Sequence, residues 1–122
     1  MSFKNTLMLH LNSMKNKDLN NFLSTVKLEN IILIMPNGDL VRDKEEFLEL
    51  HKSWFEDNDW NLNYKILNIE ESSEMAYALI EVDYKDYDEE GNIIKMNYYL
   101  NLIFRKQEEK WLLIHDQNTI HK

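Results

Sequence analysis

The stretch WNLNYKIL, residues 60–67, marks the point at which the chain changes from helical to extended periodicity. Apolar or aromatic side chains occupy positions 60, 62, 64 and 66, a spacing of two that is typical of a strand with one buried face. Three further extended segments follow, separated by short polar turns: residues 76–87, 93–106 and 111–119. The second half of the chain is therefore predicted to be a meander of long antiparallel strands.

The chain before this stretch begins with helical signals. Phe3, Leu7, Leu11 and Met14 recur at spacings of four, four and three residues, which lays one apolar stripe along a helix. Asp18 is predicted to cap a second, short helix, because its carboxylate can accept hydrogen bonds from the exposed amides of the first turn.

A short strand and a third helix complete the first half. The apolar run 31–34 predicts a buried strand, and the turn-forming residues 36–39 end it. Asp43, followed by Glu46, resembles a capping box and predicts a helix from there to about residue 57. Three helices and one short strand thus precede the meander.

The composition limits the class of protein. A chain of 122 residues is the size of one domain, so we expect a single domain spanning residues 1–122. It contains no cysteine and carries a net charge of −8, which argues against a disulfide framework and against nucleic-acid binding. No apolar run approaches the roughly 20 residues of a membrane span, and no secretion signal is visible. We therefore expect a soluble, cytoplasmic protein without nucleic-acid or membrane partners.

Four features resemble a known family: Lys17-Asp18 between two helices, Pro36 after a short strand, a helix opening near Asp43, and the closing segment KWLLIHD at 110–116. Together they resemble the SnoaL-like, ketosteroid isomerase-like superfamily, which shares the nuclear transport factor and cystatin-like fold. The resemblance implies a bacterial α+β protein in which a strongly bent antiparallel sheet wraps around three N-terminal helices as a cone with a pocket. It also implies a homodimer, and the superfamily's activities are too varied to choose a reaction.

The resemblance allows isomerase chemistry to be checked position by position. The steroid isomerases place their base, an aspartate, directly before the proline that ends the first strand, where this sequence has Met35. A thioether cannot accept the proton, so steroid isomerase activity is expected to be absent. The family's two hydrogen-bond donors fall on His10 and Asn101, whose side chains can still donate. Both are therefore expected in the pocket.

A replacement base is predicted on the last strand. The family's pocket-facing alternation selects four positions there: Leu112, Ile114, Asp116 and Asn118. Asp116 is the candidate base, because burial beside Asn101 or Tyr99 would raise its pKa toward neutrality. The predicted pocket residues besides Asp116 are His10, Met35, Tyr99, Asn101, Ile114 and Asn118.

The same alternation assigns the two faces of the preceding strand. It turns five residues inward: Asn97, Tyr99, Asn101, Ile103 and Arg105. It turns four outward: Tyr98, Leu100, Leu102 and Phe104. Because the outward set is the more apolar, we expect a second subunit to cover the outer sheet face.

The remaining polar residues predict no further site. His51 shares a helix face with Phe47 and Trp54 and is predicted to be a boundary residue, and His115 is assigned to structure or interface. The acidic residues within 83–90 lack the pattern of a calcium loop, and no histidine and carboxylate pair has zinc spacing. No metal and no cofactor are predicted.

Two functions remain open from the sequence. The first is a small-molecule-binding domain, of isomerase, cyclase or hydratase type, that uses Asp116 on a small apolar or carboxylate ligand. The second is a non-catalytic dimeric association or accessory domain whose pocket is filled by its own side chains, among them Met35, Tyr99 and the tryptophans. A cavity of roughly 300 Å³ or more with converging polar groups would favour the first.

Overall fold

The computed structural model describes residues 1–121 as three helices and six strands. The helices are α1 (Phe3–Lys15), α2 (Leu19–Ser24) and α3 (Lys44–Glu56). The strands are β1 (Ile32–Ile34), β2 (Leu40–Val41), β3 (Asn61–Glu71), β4 (Met75–Tyr87), β5 (Ile93–Gln107) and β6 (Lys110–His121). The predicted α+β class is confirmed. Within this described part of the chain, none of the helices has the length and hydrophobicity needed to cross a membrane.

The helices follow the predicted patterns with one exception. The apolar stripe of α1 is buried along its whole length, and the carboxylate of Asp18 accepts from the backbone N–H of Asn21 at 3.2 Å, as expected for a cap. Asp43 occupies the cap position of α3, but its side chain makes no cap hydrogen bond, so the predicted capping box is wrong. Glu45 and Glu46 in the first turn of α3 instead place negative charge at the positive end of the helix dipole.

The six strands form one sheet in the order β2-β1-β6-β5-β4-β3. Strands β3 to β6 make the predicted antiparallel meander. Strand β1 runs parallel to β6, so the sheet is mixed rather than antiparallel throughout. The chain travels from β1 to β6 through α3 and the meander, and no hairpin turn fixes their relative direction. The sheet is strongly curved and does not close.

The inner face of the sheet carries the core, and the facing of β5 is the reverse of the predicted one. Its buried residues are Tyr98, Leu100, Leu102 and Phe104. Its half-exposed residues are Asn97, Tyr99, Asn101 and Ile103, and Arg105 is exposed. The reason is that the helices of the same chain cover the apolar face: the ring centroid of Phe3 in α1 lies 5.2 Å from that of Phe104. No second subunit is needed to bury it.

Candidate functional site

A pocket of about 490 Å³ lies between α3, the end of β1 and the inner face of β4, β5 and β6. Most of its wall is apolar: Met14, Phe22, Leu33, Met35, Pro36, Leu50, Met96 and Leu100. Its aromatic and polar groups are His51, Ser53, Trp54, Asp57, Tyr84, Tyr98, Asp116 and Asn118. Across residues 1–121, no three histidine or carboxylate side chains are grouped so that they could hold a metal ion.

A β-bulge in β6 decides which side chain of that strand enters the pocket. Leu113 pairs with Phe104 and His115 pairs with Ile103, which leaves Ile114 without a partner on β5. The extra residue reverses the alternation of faces. Leu113 is buried before the bulge and Asp116 after it, whereas unbroken alternation from Leu113 would turn His115 inward. The bulge therefore delivers a carboxyl group to the pocket.

Asp116 is held in an apolar setting. It is 6% exposed and lies opposite Leu102 on β5 and Leu33 on β1. Its Oδ1 accepts from the Asn118 amide at 3.2 Å, while no residue of the described chain donates to Oδ2. Burial raises the pKa of Asp116 to about 7, opposed by the hydrogen bond from Asn118. At neutral pH the carboxyl group can therefore gain or lose a proton at little cost in free energy.

Two other residues predicted for the site line the same pocket. The Asn118 amide donates to the backbone oxygen of Ile34 at 2.8 Å as well as to Asp116, which ties β6 to β1 and orients the carboxyl group. Met35 follows β1 directly and contributes to the apolar wall. The position expected for an isomerase base is thus apolar, and the one deeply buried carboxyl group of the described chain comes from the neighbouring strand.

His51, predicted as a boundary residue, lines the pocket and is 5% exposed. Its Nδ1 donates to the backbone oxygen of Phe47 at 2.8 Å, so the lone pair of Nε2 is left as an acceptor. Burial lowers the pKa of His51 to about 4, opposed by the hydrogen bond to Phe47, and the ring is neutral near pH 7. The spacing of four from Phe47 to His51 was the available signal, because it puts both on one helix face.

Aromatic hydroxyl groups were also missed by the sequence reasoning. The Trp54 indole donates to the Tyr84 hydroxyl at 3.2 Å, and this hydroxyl donates to Asp86 at 3.2 Å. Burial raises the pKa of Tyr84 to about 12. Tyr98 is buried, and its burial together with the nearby Asp116 carboxylate raises the pKa of its hydroxyl. Tyr98 therefore stays protonated and is a donor beside Asp116.

His10 lies in the core and not in the pocket wall. Its Nδ1 is 2.8 Å from the hydroxyl of Thr25, which donates to the backbone oxygen of Phe22. The hydroxyl proton of Thr25 is thereby used, so His10 Nδ1–H donates to it, and Nε2 has no partner. Burial, followed by repulsion from His51, lowers the pKa of His10 to about 3. The ring of Phe22 stacks on both imidazoles, at 4.6 Å from His10 and 4.9 Å from His51.

Three predicted pocket residues lie away from the pocket. Tyr99 and Asn101 are half-exposed on the outer face of β5, where they pair with Thr119 and Gln117 of β6. Ile114 is the bulged residue and is absent from the pocket wall. These three residues were expected in the pocket because the alternation taken from the family was applied to β5 and to the first part of β6. In both places that alternation is shifted by one residue from the observed pattern of buried side chains.

Three helices and a strongly curved, unclosed, mixed sheet of six strands define the fold class as a cone-shaped α+β domain. The family model described as the SnoaL-like domain matches residues 4–120, and the chain belongs to this family. The resemblance seen in Pro36 and in the closing segment 110–116 is thereby confirmed. A search of curated proteins gave no match.

Solved structures similar to this chain have the same fold. A ketosteroid isomerase-like protein from Erwinia carotovora atroseptica is 16% identical, with a TM-score of 0.80 over 98% of this chain and 93% of the other. An uncharacterised protein with a cystatin-like fold from Caulobacter vibrioides is 16% identical, with a TM-score of 0.75 over 98% and 87%. The association domain of C. elegans CaMKII is 16% identical, with a TM-score of 0.70 over 95% and 91%. At such identities the likeness shows the fold alone.

Proposed function

We propose that this SnoaL-like domain binds a small organic molecule in the pocket and that the Asp116 carboxyl group exchanges a proton with the bound molecule. The observation that carries the proposal is a buried carboxyl group whose pKa is about 7 and whose Oδ2 has no donor within the described chain. A base whose pKa is near the ambient pH is efficient for two reasons: a large fraction of it is ionised and able to accept a proton, and its proton affinity is still high enough to take the proton from a substrate.

The neighbours of Asp116 suit a proton transfer next to a carbonyl group. Such a transfer places negative charge on the carbonyl oxygen, and a hydrogen-bond donor aimed at that oxygen lowers the barrier. The Tyr98 hydroxyl is available for this role beside Asp116, and Nε2 of His51 adds an acceptor on the α3 side of the same pocket. Proton abstraction of this kind is shared by isomerase-type and cyclase-type reactions.

The alternative of a pocket filled by its own side chains has less support. The volume of about 490 Å³ exceeds the roughly 300 Å³ at which small-molecule sites begin. Tyr99, one of the residues expected to close the pocket, lies on the opposite face of the sheet. Met35 and Trp54 belong to the wall and leave the space open.

Deuterium exchange tests the proposed chemistry without knowledge of the natural ligand. Enolisable ketones are incubated with the protein in deuterated buffer, and exchange of the α-protons is followed by NMR. We expect Asp116→Asn to reduce protein-dependent exchange by at least about 100-fold and Glu89→Gln, an equal charge change at an exposed hairpin tip, to leave it unchanged. Exchange by Asp116→Asn at the wild-type rate would refute the role of Asp116.

We also propose a homodimer that forms through the outer sheet face. Half-exposed apolar residues gather there, among them Tyr77, Leu79 and Ile103, and one structure with this fold is an association domain. Sedimentation at micromolar concentration is expected to show a dimer that Leu79→Asp dissociates and that the hairpin change Ile93→Asp does not. A monomeric wild type would refute this part of the proposal.

A further inference from the structure

The ionisable groups that the described chain contributes to the pocket wall include acids but no lysine or arginine. Asp57 and Asp116 both line the pocket, and no lysine or arginine of residues 1–121 does. His51 adds no positive charge near neutrality, because burial keeps its imidazole deprotonated. The ion pairs found in the described chain, Lys106 with Glu109 and His121 with Glu81, involve neither pocket carboxylate. The charged side chains of the wall itself are therefore acidic, which favours a cationic ligand over an anionic one.

The side of the pocket formed by the end of α3 concentrates this negative potential. Asp57 is exposed and caps the carboxyl end of α3, where the helix dipole is negative. Tyr84 lies in the same wall, with its hydroxyl bonded to Asp86. The carboxylates of Asp86 and Asp57 are both near enough to this hydroxyl to oppose its ionisation. Two acidic groups thus flank one aromatic ring at this side of the pocket.

The aromatic residues at this end already bind one ammonium group within the chain. Trp54 and Trp60 stack with their ring centroids 4.2 Å apart. The Lys17 ammonium lies 4.1 Å from the centroid of Trp60 and donates to the backbone oxygen of Asp57 at 2.6 Å. Lys17 is not part of the pocket wall. Its contacts show that an indole face and a carbonyl group at this helix end suit a cation.

We infer that the pocket selects ligands that carry a protonated amine, with the ammonium held among Asp57, Trp54 and Tyr84 while the rest of the molecule reaches Asp116. The inference rests on the proposed function, since it assumes that the pocket binds a small molecule. It is carried by two separate observations: an acidic, aromatic wall without a cation, and a carboxyl group 94% buried, with a free oxygen, on the sheet side of the same cavity. The carboxylate ligand expected from the sequence is disfavoured, because the pocket wall contains two acidic residues and no lysine or arginine of residues 1–121.

Three indoles of nearly equal size test the charge preference: tryptamine, tryptophol and indole-3-acetate. Each is titrated into the ¹⁵N-labelled protein, and the indole N–H signals of Trp54 and Trp60 report binding at the pocket. We expect tryptamine to bind at least about tenfold more tightly than tryptophol, and indole-3-acetate at least about tenfold more weakly. Asp57→Asn should remove at least about threefold of the preference for tryptamine over tryptophol, while Glu89→Gln keeps it.

The outcomes separate the inference from the function on which it rests. If tryptophol or indole-3-acetate binds at the tryptophans as tightly as tryptamine, the pocket is a ligand site and the preference for amines is wrong. The same conclusion follows if Asp57→Asn leaves the ratio of affinities unchanged. If none of the three compounds moves the two indole signals, both the amine preference and the proposed small-molecule site are contradicted.

Discussion

Replacing Asp116 by asparagine is expected to stabilise the unliganded protein, by an amount that grows with pH. The pKa of this carboxyl group rises from its ordinary 3.8 to about 7 in the folded state, and a pKa difference of one unit corresponds to about 1.4 kcal/mol. The full penalty for keeping an ionisable acid at this position is therefore roughly 4 kcal/mol. Asparagine has nearly the same shape, can still accept from Asn118, and has no proton to lose.

The sign of the pH dependence follows from which state binds the proton more tightly. The folded state holds the proton up to about pH 7, while the unfolded chain releases it above 3.8. The stability that protonated Asp116 allows is therefore complete at low pH and is lost as pH rises through this window. At about pH 5 only a third or so of the penalty has developed, and at about pH 8 all of it has, so the advantage of the variant should grow by roughly 2–3 kcal/mol.

Urea unfolding of the wild type and of Asp116→Asn at about pH 5, 6, 7 and 8 measures this difference. The two buried histidines also respond to pH, but they are present in both proteins, and their contribution cancels in the comparison. A variant whose advantage stays constant across this range, or that is less stable than the wild type at the alkaline end, would show that Asp116 is hydrated or charge-paired and would refute the reasoning.

Three further predictions concern the core and the turns. Burial lowers the pKa of His10 from its ordinary 6.5 to about 3, so the unfolded chain binds a proton at pH values where the folded protein does not, and the free energy of unfolding falls as the pH drops below 6.5. Between about pH 6.5 and 5, the free energy of unfolding of His10→Gln, measured in urea, should fall by about 2 kcal/mol less than that of the wild type. Leu102→Ala, in the core, should cost roughly 2–5 kcal/mol and Ile103→Ala, on the outer face, less than about 1.5 kcal/mol; the reverse order would contradict the facing of β5. Glu109 has a φ of 69°, so Glu109→Gly should raise stability by roughly 1 kcal/mol, and a lower melting temperature would contradict this.

Most of the fold could be predicted because the two periodicities are clean. The stripe from Phe3 to Met14 leaves one buried face for α1, and the alternation that begins at Trp60 leaves one for β3. The parallel pairing of β1 with β6 could not be predicted, because both partners in a long-range pair are apolar segments and neither encodes the direction of the other.

The predicted facing of β5 is wrong because it follows the alternation of the family and not the pattern of apolar residues in β5 itself. Tyr98, Leu100, Leu102 and Phe104 alternate with polar or less apolar residues, and the simple rule that the apolar set is buried would have been correct. The bulge at Ile114 is different, because WLLI at 111–114 is apolar at every position and carries no alternation from which an extra residue could be recognised. The alternation taken from the family therefore assigns the wrong face to Leu112 and Ile114, which come before or at the bulge, and the correct, inner face to Asp116, which follows it.

The bulge ties the stability of the domain to its proposed chemistry. By turning Asp116 inward instead of His115, it places an acid among Leu33, Leu102 and Tyr98, where ionisation is costly. A ligand that donates a hydrogen bond to the free carboxylate oxygen, or that brings a positive charge near it, recovers part of that cost on binding. Ligand affinity should therefore rise as pH passes through about 7, in the range where the unliganded protein becomes less stable. A residue that only filled space at this position would change neither ligand affinity nor stability with pH. If the wild type shows both pH dependences and Asp116→Asn loses both, the carboxyl group is functional.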